Sequence, residues 1–231
     1  MTPRLPARGG GPALWLCALA ALVVPFGAQA VAWGAPGPAA AAVTSQHPEV
    51  GVLVVEGQGT CTGVLVRPDA VLTAAHCFGF RSGQGAGNFV RYDLEGGAYR
   101  VRYDVPVVGW SAAPWGFSTG VFANDWALVR LGAPVEGVAP APLAEAGPAL
   151  GEGVVLYGGG RHGPREEDFD WLVRRKPFAW GGDPGSTPGD SGGPIFNARG
   201  QLVALVSGQG LFRLVSTHLW WRREGIEAAL R

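Results

Sequence analysis

Lysine is almost missing from this chain. Lys176 stands alone against 17 arginines, an imbalance that reflects base composition in the coding sequence and carries no mechanism. Charge as a whole is scarce. Charged residues make up 16% of 231 and balance to zero, so there is neither the basic patch that nucleic acid requires nor an acidic solvating tail. Cysteine is rare, with three in all, and the four histidines are scattered. No metal site has ligand spacing, and no cofactor is expected. No internal repeat of fixed period is present. The sustained apolar stretch at residues 13–24, ALWLCALAALVV, is short for a membrane span and is followed by Pro25 and Gly27.

That stretch reads as the core of a signal peptide. Arg4 and Arg8 precede it, and Ala28-Gln29-Ala30 supplies a small-x-small cleavage pattern. Residues 1–30 are therefore expected to be removed, and the mature protein to be secreted or periplasmic, with no membrane partner. Cleavage removes Cys17 and leaves Cys61 and Cys77, an even count in an oxidising compartment. A bridge between them closes a loop of about 15 residues and contributes roughly 3 kcal/mol.

What the chain has in quantity is glycine (38) and proline (19), set between short β-branched runs. This pattern argues for an all-β protein. Residues 31–46 are rich in Ala, Gly and Pro and read as a linker or short pro-segment. From Val50 onward VGVLVV, CTGVLV and AVLTAA each look like one strand, followed by a Gly-rich loop at 79–88 and strands near 98–108 and 126–131. The Pro-rich stretch 132–152 divides two halves. Strands resume at 153–157, 194–196 and 201–207, and a short amphipathic helix is expected at 219–230, with Trp220 and Trp221 as its anchors.

Three motifs carry chemistry. In T-A-A-H-C, His76 follows an apolar strand and precedes a cysteine; it reads as a buried core histidine or as a general base pinned by a disulfide. In N-D-W-A-L-V-R-L, Asp125 opens a strand, as a turn carboxylate or as an acceptor for one imidazole nitrogen. In G-D-S-G-G-P, three glycines leave the Ser191 hydroxyl uncrowded and allow the amides of Gly189 and Ser191 to converge as an oxyanion hole. G-D-S-G-G also satisfies the nucleophile-elbow pattern of α/β-hydrolases. That fold orders its triad Ser, acid, His, whereas only His218 follows Ser191 and no carboxylate lies between them.

Together TAAHC, the D-x-A-L-x-R-L strand and GDSGGP, in that order, resemble the trypsin/chymotrypsin family, and H-P-E-V-G-V-L from His47 resembles the entry strand of bacterial members. The resemblance implies two packed six-stranded antiparallel β-barrels and a short C-terminal helix, with a peptidase domain over 47–231, barrel one at about 47–135 and barrel two at about 150–218. It implies a Ser191–His76–Asp125 triad, an acyl-enzyme, a Cys61–Cys77 disulfide and a monomer acting on protein or peptide substrates. A catalytically silent binding protein on the same fold is the alternative.

The resemblance also locates a specificity pocket, with Gly185 at its floor and Ser207, Gly208 and Gln209 along one wall. An uncharged floor implies a neutral side chain in the pocket, although Asp183 is close. Thr187 replaces a family cysteine, so the bracing disulfides of the pocket are missing. Asp190 is the position that pairs with a newly cut amino terminus in the family; signal cleavage would offer Val31 for that role.

Overall fold

The computed structural model describes residues 47–95, 98–113, 124–149, 151–159, 165–170, 178–180, 188–210 and 213–231, with the backbone alone at 94–95, 98–99, 165–170, 178–180, 209–210 and 213–214. The expected signal peptide and linker lie outside them. So do Val31, Asp183, Gly185 and Thr187.

The first half closes on itself. Strands β1 (Val50–Val55), β2 (Gly59–Arg67), β3 (Ala70–Thr73), β4 (Gly87–Glu95), β5 (Ala98–Ala112) and β6 (Ala127–Leu131) form a barrel in the order β1-β2-β3-β6-β5-β4. Tight turns join the early strands because the sequence supplies them: Gly57 takes φ 73° between β1 and β2, and Pro68-Asp69 separates β2 from β3. Alternate residues face inward, so Leu53, Leu65, Val71, Phe89 and Val129 are fully buried in one core. Each such side chain contributes about 1.5–3 kcal/mol.

The second half is a six-stranded antiparallel sheet. Strands β7 (Gly153–Gly158), β8 (Arg165–Asp170), β9 (Phe178–Trp180), β10 (Pro194–Asn197), β11 (Leu202–Gly210) and β12 (Arg213–His218) run in the order β8-β7-β10-β11-β12-β9. A terminal helix, α1 (Arg223–Ala229), completes the chain. The fold class is thus the expected one: mostly β, a closed six-stranded barrel, a second six-stranded sheet and a short C-terminal helix.

An apolar layer joins the lobes, with Val64, Leu72 and Trp126 of the first meeting Phe196, Leu205 and Leu219 of the second. Ile226 of α1 is fully buried in this layer. The entry segment adds a second tie. The His47 ring stacks on Phe196 at 4.2 Å and tilts against Tyr157 at 4.6 Å. On the barrel side, buried Arg91 donates to the carbonyls of His47 and Val50.

One expectation fails here. Trp221 is 58% exposed, so it is not buried as an anchor of the helix. Trp220 stacks on His218 at 4.2 Å and packs against the second sheet. Ile226 holds the helix, and the indole of Trp126 lies under Gly225.

Candidate active site

His76 sits on a short 3-10 turn, Ala75–Phe78, directly after β3. The turn ends at Gly79, which takes the left-handed conformation (φ 58°) that glycine adopts without a side-chain clash. The expected disulfide is present: Cys61 on β2 is joined to Cys77, the residue next to His76. The backbone carrying the imidazole is therefore tied to the barrel at its closest neighbour.

Asp125 lies just ahead of β6 and is fully buried. A buried carboxylate must be hydrogen-bonded to be tolerated, and this one is. Its Oδ1 accepts the main-chain N–H of His76 at 2.8 Å, and its Oδ2 faces His76 Nδ1 at 2.7 Å. The Ser207 hydroxyl donates to the same Oδ2. Ser207 is the extra residue where β11 slips its register against β12 between Val206 and Gly208. That bulge aims the hydroxyl at the carboxylate.

Ser191 lies in a tight turn between β9 and β10. Gly193 N–H donates to Asp190 O and Gly192 N–H to Val206 O, both at 2.8 Å. The glycines are required. Gly189 and Gly192 have φ of 104° and 79°, and a Cβ on Gly193 would stand 2.3 Å from the Tyr157 carbonyl oxygen. The turn brings Ser191 Oγ to 2.8 Å from His76 Nε2. The amides of Gly189 and Ser191 have no acceptor among the described residues.

Electrostatics favour a charged His76. Burial pushes its pKa down, but the hydrogen bond and the charge of Asp125 outweigh this, and the net displacement is upward from the usual histidine value. Its side chain keeps 31% exposure, so the imidazole is reachable while Asp125 is sealed.

The sequence of a trypsin-like peptidase domain matches residues 61–205. The chain belongs to this family. No curated protein sequence matches it. Among solved structures, this peptidase-family chain is similar to an inactivated protease paralogue of the scabies mite (16% identity, 79% of this chain and 92% of that one, TM-score 0.67). It is also similar to neuropsin, a serine protease of mouse brain (21%, 80% and 96%, 0.64), and to a Glu endopeptidase (14%, 80% and 93%, 0.65). At these identities the likeness is one of fold.

The remaining sequence-derived positions of this family member divide in two. Ser207 is bonded to Asp125, and Gly208 and Gln209 follow it on β11, opposite Val215 and Leu214 of β12. Asp190 is fully buried, so close to Gly158 that a Cβ there would stand 2.2 Å from its Oδ1. Gly185 lies outside the described residues, as does the side chain of Gln209. Sequence reasoning missed Thr62, a buried residue bonded to the nucleophile loop from the opposite barrel. Its only signal was its place beside Cys61.

Proposed function

We propose that this trypsin-family chain is an active serine endopeptidase that works through an acyl-enzyme. The observation that carries the proposal is the continuous relay of hydrogen bonds from Asp125 through His76 to Ser191, at 2.7 Å and 2.8 Å. In the proposed reaction Ser191 Oγ attacks the scissile carbonyl carbon as its proton passes to His76 Nε2. The developing oxyanion takes the amides of Gly189 and Ser191, each donor supplying about 3–4 kcal/mol. Collapse releases the amine, which leaves with that proton. Water then attacks the ester by the same route, returning the Ser191 hydroxyl and freeing the acid. Asp125 holds the imidazole in its productive tautomer and stabilises the imidazolium.

The main chain of β11 supports a place for substrate. Bonds to Gly192 and Gly193 end its contact with the β10 side at Val206, while β12 covers the other side as far as Gly210. An extended peptide adds as a strand along Ser207–Gln209. With Gly185 as pocket floor, the proposed preference is for a neutral side chain. Secretion follows from the signal-like segment, and among the described residues no helix is long and apolar enough to cross a membrane.

The test is hydrolysis of unfolded casein and a peptide library by the wild type and Ser191→Ala. Ser191-dependent cleavage after neutral residues supports the proposal. Exclusive cutting after Arg or Lys contradicts the pocket, and no Ser191-dependent cleavage contradicts the activity.

A further inference from the structure

Two consecutive residues of β2 hold the two reacting side chains. Cys61 is bonded to Cys77 beside His76. Thr62, the next residue, is bonded to the loop that carries Ser191. From this geometry we infer that Thr62 is a positioning residue for the oxyanion hole, its hydroxyl locking the Gly189 peptide in register with the nucleophile. The inference rests on the peptidase reading above.

Thr62 is 1% exposed and uses every hydrogen-bonding group it has. Its N–H donates to the Ser191 carbonyl at 2.8 Å. Its Oγ1–H donates to the Gly189 carbonyl at 2.7 Å, and the same oxygen accepts the Gly159 N–H at 2.8 Å. Its own carbonyl accepts from Thr73 Oγ1 at 2.7 Å. One residue of the first barrel thus grips both ends of Gly189–Asp190–Ser191 and the end of β7 as well.

The grip matters because of what Gly189 is. At φ 104° it occupies backbone space that other residues avoid, and nothing on its own side chain restrains it. Its amide is a proposed oxyanion donor, so any rocking of its peptides moves that donor away from the developing charge. Such donors act only when aimed in advance. Pinning the Gly189 carbonyl fixes one side of the residue, and the Thr62 amide on Ser191 fixes the far end of the tripeptide. A β-branched side chain suits this task, since Thr is stiff at χ1. Val keeps the β-branch and is the near-isosteric replacement, with a methyl in place of the hydroxyl.

The test compares wild type with Thr62→Val, Thr62→Ala and Thr62→Ser, each first checked for cooperative thermal unfolding. Because Thr62 acts through another group, Thr62→Val should lower kcat by about 10–100-fold, less than the 10²–10³ of deleting a donor outright. KM should stay near the wild-type value. The inhibition constant of a peptide aldehyde, whose adduct places an oxygen in the hole, should rise by the same factor as kcat falls. Thr62→Ser should recover most of the loss, and the acid limb of the pH profile should not move in any variant. Should Thr62→Val not fold, Thr62→Ala carries the same comparison. An active wild type with Thr62→Val or Thr62→Ala of equal kcat overturns the inference alone, as does a Thr62→Ser as damaged as the hydroxyl-free variants. A wild type without Ser191-dependent hydrolysis overturns it together with the proposed function.

Discussion

Asp125 grips His76 at two points with two different oxygens, Oδ1 on the main-chain N–H and Oδ2 on the imidazole. The main-chain bond holds the carboxylate against the turn that carries the ring, and the second oxygen accepts from Nδ1, so the tautomer with its proton on Nδ1 is favoured. Nε2 is left to accept from Ser191.

This arrangement sets the pH at which the base becomes competent. The His76 pKa is raised above the usual value by the Asp125 bond and charge, net of burial. A raised pKa means that the proton is held to higher pH. Its stabilising contribution is fully present below the ordinary histidine value, about 6.5, and is lost as pH rises through the folded one. Activity runs the other way, since only neutral His76 accepts a proton. The acid limb of kcat/KM is expected above about 6.5. In Asp125→Asn it should move down while turnover falls about 10⁴-fold. A wild-type limb at or below the free histidine value would contradict this account of the site.

The Cys61–Cys77 bond closes a short loop that contains β3 and the His76 turn, at a sequence separation of 16. Its removal in the double variant Cys61→Ala/Cys77→Ala should cost roughly 3 kcal/mol by loop entropy. Because Cys77 adjoins His76, kcat should fall as well. Denaturant titration and kinetics on one preparation check both. Unchanged stability would show that barrel packing alone fixes the loop.

His218 predicts an acid-sensitive fold. It is fully buried and stacked on Trp220, and burial pushes its pKa down to about 3. It stays neutral in the folded chain at pH values where the unfolded chain charges it. Stability should therefore fall as pH drops from about 6.5 toward the folded value, by at most about 1.4 kcal/mol per pH unit. In His218→Gln that slope should shrink between pH 6 and pH 4, measured by urea unfolding. An identical slope would assign the acid limb to other groups.

The three site residues were legible in the sequence because each sits in a short motif whose spacing is local. His76 comes with its cysteine, and Ser191 comes with the glycines that its turn demands. β1 to β3 were legible because both barrel faces of those strands are apolar. β4 was not. Its Arg91 and Asp93 look like a solvated loop, yet Arg91 is buried and satisfied by the His47 and Val50 carbonyls and by Asp93. β8, R-E-E-D-F-D, is an edge strand whose composition carries no apolar alternation. Thr62 was hidden for another reason. Its partners, Gly159, Gly189 and Ser191, lie far along the chain, and no local pattern announces a contact made across two lobes. Trp221 was misread because aromatic character alone does not say which way a side chain faces.

The most direct test of the central claim is covalent labelling with a fluorophosphonate, followed by intact mass and peptide mapping. The account predicts one phosphonyl adduct per chain, located on Ser191, abolished in Ser191→Ala and slowed strongly in His76→Ala. A correctly processed, folded chain that takes no adduct, or takes it at a residue other than Ser191, would contradict it.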